Sequence, residues 1–252
     1  MVQKNLRDCF PDKSDAEIKR LTKLSYTNLT DVIVESIKAF TMTDKQLVKR
    51  YKLLQLENLV PYEKDAHDFI LATCHYSNWE WGSLAPALQV KHKLIALYKP
   101  LSNKYMDHIL RKSRSRTGTE LASIYSTKQA FEAKRNQPVA IMMAADQNPG
   151  NPKKAIWINF LGRPTAFLDG VERYAKQFDM PIVFADIQRV KRGYYTIKLD
   201  TLVSDPRTLP HGEITRRYVE RLVKAIEHQP ENWLWSHKRW KMQLPKGTEV
   251  YG

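Results

Sequence analysis

His75 and Glu80, within "FILATCHYSNWEWGSL" (residues 69–84), are the residue types in this chain best suited to proton transfer. A neutral imidazole, with an ordinary pKa of about 6.5, accepts a proton at physiological pH. A carboxylate beside it fixes the ring tautomer and stabilises the imidazolium that forms. Spacing sets a condition on the pair. Residues five apart point about 140° away from each other on a helix, or lie on opposite faces of a strand roughly 17 Å apart. The two side chains therefore meet only where the backbone bends between them. "FILAT" reads as a buried strand, "YSN" carries cap-forming residues and "WEWGSL" opens a helix. That pattern predicts a strand-to-helix corner, with His75 at the sheet edge and Glu80 in the first helical turn. A metal site built from Cys74, His75 and Glu80 is disfavoured, because adjacent Cys74 and His75 point to opposite sides of a strand. No G-x-S-x-G elbow occurs, so the pair, if catalytic, activates a substrate hydroxyl directly. A histidine closing an apolar strand is more often structural, and H-x4-E alone is a weak signal.

The elements that must hold this corner follow from composition and periodicity. The chain has 252 residues, 42% hydrophobic, with 13 Pro and 9 Gly, the profile of a soluble globular protein with a sizeable core. Two distant cysteines, Cys9 and Cys74, form no metal-ligand spacing and no disulfide framework, which suits a reducing compartment. No signal peptide is visible, and no run approaches the ~20 apolar residues that span a bilayer. Lys and Arg number 41 against 27 Asp and Glu, a formal net charge of +14. Such a surplus points to polyanionic company: nucleic acid, an anionic membrane surface, or acidic and phosphate-bearing partners.

Ser14 and Glu17 form a capping box before an apolar stripe through Ile18, Leu21, Leu24, Leu29 and Val32, predicting a helix over 14–40. A second helix is expected over 44–56. Six short apolar runs then read as strands: 69–73, 94–98, 139–144, 156–160, 182–187 and 194–199. Helical stretches at 79–89, 104–115, 126–136 (with Ser126 and Gln129 as a capping box), 168–178 and 212–228 sit between or after them. The alternation predicts an α/β fold in a single domain, a central sheet flanked by helices. "KRG" (191–193) reads as a hairpin turn, which makes the sheet mixed. Residues 1–60 are expected as an N-terminal helical segment and 61–245 as the α/β core.

The blocks "NLRDCFPDKS" (5–14), "HYSNWEWG" (75–82), "ALYKPLSNKYMDHILRKSRSRTGTEL" (96–121), "AADQNPG" (144–150), "FLGRPTAFLDGVERYAKQFDMPIV" (160–183) and "NWLWSHKRWK" (232–241) carry a specific resemblance. In order and spacing the chain resembles the bacterial late lipid A acyltransferases, within the lysophospholipid acyltransferase superfamily and its H-x4-D/E motif. The resemblance implies transfer of a fatty acyl chain from an acyl thioester on acyl carrier protein to a hydroxyl of a lipid A precursor. It implies an anionic lipid acceptor, no cofactor and no metal. It also implies work at the cytoplasmic face of the inner membrane, anchored by an N-terminal helix that this chain, starting abruptly at Met1, does not carry. A relative acting on another glycolipid or aminolipid fits the same residues.

Role by role, the resemblance makes His75 the general base and Glu80 its orienting partner. Asn78 caps the helix or touches substrate, with capping favoured. Backbone N–H groups near residues 79–82 are candidate oxyanion donors. Lys99 stands where family members usually carry Arg, and a point charge cannot grip an anion bidentately, which weakens its part. Asn103 belongs to the same substrate-binding block. The run Arg111, Lys112, Arg114 and Arg116 is either a solvated helix end or a clamp on an acceptor phosphate or sugar acid, and Arg114 and Arg116 are taken as substrate-binding. Asp146 and Gln147, closing an apolar strand, line the cleft. Arg163 is held near donor or acceptor by the "FLGRPT" turn. Trp233, Trp235 and Trp240 are mostly core by type, although Lys238, Arg239 and Lys241 between them also suit a membrane interface. Charge and interleaved aromatics alone would also suit a non-catalytic nucleic-acid binder. That reading requires steep salt dependence and indifference to His75→Ala, and no zinc-knuckle, glycine-rich or helix-turn-helix signature supports it.

Overall fold

The oxygen of Ser14 accepts the backbone N–H of Glu17 in the computed structural model, which describes residues 1–252. This cap opens α2 (Asp15–Ala39), which follows α1 (Val2–Cys9). Ile18, Leu21 and Val32 of α2 are buried, as the stripe predicts. The next helix, α3 (Asp44–Arg50), is shorter than expected. The chain turns extended at β1 (Tyr51–Leu54), where burial alternates with period two, Tyr51 and Leu53 in and Lys52 and Leu54 out. A parallel partner strand overrides the helical reading of residues 51–54.

Beyond α4 (Val60–Lys64), strand β2 (Phe69–Thr73) is buried throughout. Then come α5 (Trp79–Gly82), β3 (Lys93–Tyr98), α6 (Lys104–Ser115), β4 (Glu120–Ser123), α7 (Thr127–Glu132) and β5 (Val139–Ala144). The hairpin β6 (Ile156–Phe160) and β7 (Arg163–Phe167) precedes α8 (Gly170–Phe178), β8 (Ile182–Lys191), β9 (Tyr194–Val203) and α9 (Glu213–His228). α5 stops far short of residue 89 because Pro86 cannot continue a helix; residues 86–88 form a 3₁₀ turn instead. Ser126 makes no cap hydrogen bond, so the second expected capping box does not form. β4 and β7 are strands that periodicity misses, the first only four residues long and the second carrying Pro164.

Seven strands form one mixed sheet in the order β1-β9-β8-β2-β5-β3-β4. All neighbours are parallel except β8 and β9, which the Lys191–Tyr194 hairpin makes antiparallel. β6 and β7 form a separate two-stranded antiparallel sheet, so the 156–160 run lies outside the main sheet. Parallel strands buried on both faces read as continuous apolar runs, which is what β2, β3, β5 and β8 are. No helix is long and apolar enough to cross a membrane.

One register positions the site. β2 and β5 pair with a constant offset, Phe69 with Ala140 through Thr73 with Ala144. Two residues past the last pair, the same offset sets His75 beside Asp146 at the C-terminal edge of the sheet.

Candidate active site

The corner after β2 is built from polar contacts with α2. Ser77 is fully buried and left-handed, φ 52°, with its N–H on the carbonyl of Asn232. A left-handed non-glycine residue is uncommon and reverses the chain sharply. Asn78 then caps α5, its Oδ1 accepting the N–H of Trp81 at 2.9 Å, while its Nδ2 donates to Glu35 Oε2 of α2 at 2.5 Å. The hydroxyl of Tyr195 donates to the same Glu35 oxygen, and Trp81 Nε1 donates to the Glu35 carbonyl. Asn78 is therefore spent on the fold. It has no exposed surface and is not among the residues that line the cavity described below.

The expected partnership of His75 with Glu80 is corrected. His75 Nδ1 lies 2.7 Å from Asp146 Oδ1, and the His75 backbone N–H donates to Asp146 Oδ2 at 2.9 Å. Trp233 Nε1 donates to that same Oδ2 at 3.0 Å. Burial presses the His75 pKa down, but the Asp146 charge and hydrogen bond outweigh it, and the value rises above the ordinary 6.5. The Asp146 carboxyl, although burial works the other way, is held below its ordinary value by His75 and the Trp233 N–H. An ionised Asp146 facing Nδ1 fixes the Nδ1–H tautomer, which leaves the Nε2 lone pair without a protein partner and free to take a proton.

Glu80 sits one turn on and grips a different group. Arg114 Nη2 donates to its Oε1 at 2.6 Å and Arg114 Nε to its Oε2 at 3.1 Å, a two-pronged pair. Trp79 Nε1 adds a third donor to Oε1 at 3.2 Å. The Trp79 ring meets the His75 ring edge-on, centroids 5.7 Å apart. Glu80 thus fixes Arg114, and Arg114 and Trp79 flank His75 at one end of a cavity.

That cavity, about 90 Å³, has sixteen lining residues, of which eleven are hydrophobic. Its floor is one face of the sheet: Leu121, Ala96, Met142, Thr73, Ala185, Ile187 and Ile197 belong to it, and the strand registers place all of them on the same side. Alanines at 96, 144 and 185, with Gly82 of α5 above, leave the trough. At ~4.8 Å per strand, the six strands from β4 to β9 span roughly 24 Å. The mostly apolar lining suits an apolar ligand better than a polar one.

Cys74 lines the same cavity, but burial and the nearby Asp146 push its thiol well above the usual range, so it is not a thiolate nucleophile. No group of three or more His, Cys, Asp or Glu side chains is placed to hold a metal ion.

The remaining expected site residues scatter. Lys99 is exposed and outside the cavity. Asn103 caps α6, accepting the N–H groups of Tyr105 and Met106. Arg116 pairs with Asp44 at 3.0 Å, and its Nε and Nη2 are buried without partners. Gln147 is half-buried and makes no side-chain hydrogen bond. Arg163 pairs with Asp8 at 3.1 Å and stacks over Trp240 at 4.7 Å, away from the cavity. In the tail, Trp233 and Trp235 are core, which removes them from a membrane interface. Arg239, 1% exposed, donates to Asn148 and to the Ala166 carbonyl and covers the Phe167 ring. Burial pulls its pKa down to about 10.

Comparison with known proteins places this geometry. The profile of the bacterial lipid A biosynthesis acyltransferases matches residues 1–242. Among curated proteins, the lipid A biosynthesis lauroyltransferase of Escherichia coli is 23% identical over 253 aligned residues, covering 98% of this chain and 80% of its own. The lipid A biosynthesis acyltransferase of Haemophilus influenzae is 23% identical over 251, covering 98% of this chain and 79% of its own. The palmitoleoyltransferase of E. coli is 21% identical over 253, covering 100% of this chain and 81% of its own. With nearly its whole length matched by one profile, the chain belongs to the bacterial lipid A biosynthesis acyltransferase family and is an acyltransferase.

Proposed function

We propose that this chain transfers a fatty acyl group from the thioester of acyl carrier protein to a hydroxyl of a lipid A precursor, with His75 as general base. The observation that carries this reading is the His75 ring itself: Nδ1 locked on Asp146, Nε2 free, at the mouth of an apolar trough flanked by Arg114. Nε2 takes the proton of the acceptor hydroxyl as its oxygen attacks the thioester carbon. The carbonyl π pair moves to oxygen, giving a tetrahedral oxyanion. Collapse of that intermediate re-forms the carbonyl, breaks the C–S bond and expels the thiolate, which recovers the proton from the imidazolium. Asp146 stabilises the imidazolium between those two transfers. Arg114, its guanidinium held rigid by Glu80, is the cation nearest this chemistry and suits the oxyanion or an acceptor phosphate.

The relatives differ in the acyl group their names carry, lauroyl in one and palmitoleoyl in another, at nearly equal distance from this chain. The net charge of +14 suits an acidic carrier protein and an acceptor bearing phosphates in an anionic leaflet of the inner membrane.

The test is His75→Ala, assayed with acyl carrier protein thioesters and a lipid A precursor. Turnover is expected to fall on the order of 10²–10⁴-fold, the usual contribution of a general base, with the melting temperature nearly unchanged. A variant that transfers at close to the parent rate removes His75 from the reaction.

A further inference from the structure

α6 is a helix without a core. Of its twelve residues only Ser113 is buried. At 100° per residue, Tyr105, Met106, Ile109 and Leu110 fall on one face centred on Ser113, Lys104, His108 and Arg111 fall on the other, and Lys112 sits at the border beside Tyr105. Segregation of this kind normally marks a helix packed by its apolar side, yet Tyr105 is 72% exposed and Met106 49%.

Topology explains why. α6 crosses from β3 to the parallel edge strand β4, which has only four residues. A strand that short is about 13 Å long, whereas twelve helical residues run about 18 Å. The first turn of α6 therefore overhangs the C-terminal edge of the sheet. Leu101 before it is 45% exposed, and Ile124 and Tyr125, just past the end of β4, are 43% and 76% exposed. This is the edge on which His75 and Asp146 stand, two to three strands away in the order β2-β5-β3-β4. The C-terminal end of the same helix supplies Arg114 to the trough.

We propose that the first two turns of α6, with Leu101, Ile124 and Tyr125 beside them, form the element that docks this enzyme on an anionic lipid bilayer next to the mouth of the acyl trough. Apolar side chains on one face dip below the headgroups, and the basic face meets lipid phosphates, the division of labour of an interfacial helix. Charge selects the occupant: Lys104, Arg111 and Lys112 outnumber the single acid, Asp107. An acidic protein partner would match the basic side and leave five large apolar side chains uncovered. A bilayer takes both.

The proposal rests on the lipid-acceptor reading above, but its test contains no substrate. The full chain is mixed with phosphatidylcholine vesicles with and without phosphatidylglycerol, and binding is read by flotation. Tyr105→Ser with Met106→Ser should lower partitioning onto anionic vesicles about tenfold or more. Lys104→Gln with Lys112→Gln should weaken binding to anionic vesicles, leave binding to neutral ones unchanged and flatten the salt dependence. Both native cysteines are buried, so Tyr105→Cys labels selectively with an environment-sensitive fluorophore. Its emission should shift to the blue on anionic vesicles, while a label at Glu220→Cys on α9 should not respond. Equal binding by parent and Tyr105→Ser/Met106→Ser, a silent label at 105, or a label there that answers to acyl carrier protein but not to vesicles overturns the proposal. A chain that loses transfer on His75→Ala yet never docks through α6 refutes the docking surface alone. One that docks yet transfers normally after His75→Ala refutes the catalytic reading alone.

Discussion

Asp146→Asn isolates the contact on which the catalytic reading depends. The carboxylate accepts three N–H groups, from the His75 ring, the His75 backbone and Trp233. An asparagine offers one acceptor oxygen and turns an NH₂ toward at least one of those donors. A buried donor left unpaired costs about 1–3 kcal/mol, which at this chain length lowers the melting temperature by about 2–4 °C per kcal/mol. Catalysis suffers separately, because the imidazolium formed in the transition state loses its counter-charge and the ring loses the bond that fixes its tautomer. A loss on the order of 10²–10⁴-fold in kcat/KM corresponds to about 3–5 kcal/mol of transition-state stabilisation. The pH profile carries the sharper signature. In the parent the His75 pKa is raised above 6.5 because Asp146 outweighs burial. A base works only when neutral, so the acid limb of kcat/KM falls above pH 6.5. Removing the Asp146 charge leaves burial opposed only by the weaker Glu80 charge, and the limb should move to lower pH even as the maximum rate collapses. The assay is acyl transfer across roughly pH 5 to 9 on parent and variant. An unmoved acid limb together with less than tenfold loss would show that Asp146 is not the partner of the catalytic group.

Other consequences can be read with the same assays. Glu80→Gln breaks the two-pronged grip on Arg114 and should cost roughly 10–100-fold in kcat/KM, with the acid limb moved to lower pH, but by less than in Asp146→Asn, because the Glu80 charge is a weaker support of the His75 imidazolium than Asp146; a limb displaced as far as in Asp146→Asn would return Glu80 to the role of His75's partner. Ala185→Leu adds bulk to the trough floor, so in a competition among thioesters of graded length the preferred chain should shorten by several carbons. An unchanged length profile would show that the acyl chain lies elsewhere. In acid, Asp146 contributes stability that is present above its unfolded pKa near 3.8 and lost as pH falls through its lower folded value. His75 contributes the opposite way, its share complete below about 6.5 and lost as pH rises through its raised value. Urea titrations of parent and Asp146→Asn should therefore differ most between about pH 4 and 6.5, where both contributions are present, and converge at the acid end; a gap that goes on widening below the unfolded Asp pKa near 3.8 would contradict the sign.

What the sequence discloses about this site divides along physical lines. The corner after β2 is legible because it is local: an apolar run, then cap-forming residues, then a helix opening, all within fourteen residues from Phe69 to Gly82. The strands of the sheet interior are legible for the same reason, being continuous apolar runs. β4 and β1 are not, since one is half-buried at an edge and the other is a four-residue strand that only its partner specifies. The partner of His75 is a question of register, which no local pattern contains. Asp146 follows its own strand by two residues, as His75 follows its strand. That shared offset was the available signal: two polar residues at equal distance past two apolar runs meet if the runs pair in step.

The same distinction explains why Glu80 misleads. On sequence it is the nearest carboxylate to His75, and H-x4-E ties the two together. In the fold they are separated by function: one carboxylate orients the base and another orients the cation, with Trp79 touching both His75 and Glu80. On the proposed mechanism both arms must be rigid for a hydroxyl and a thioester to meet productively, and a single carboxylate could not hold an imidazole and a guanidinium in different directions. The H-x4-E spacing is thus the distance between two neighbouring devices, set by the turn at Ser77 and the cap at Asn78. Lengthening that corner by one residue would leave His75 on Asp146 but swing Glu80 by about 100°, away from Arg114.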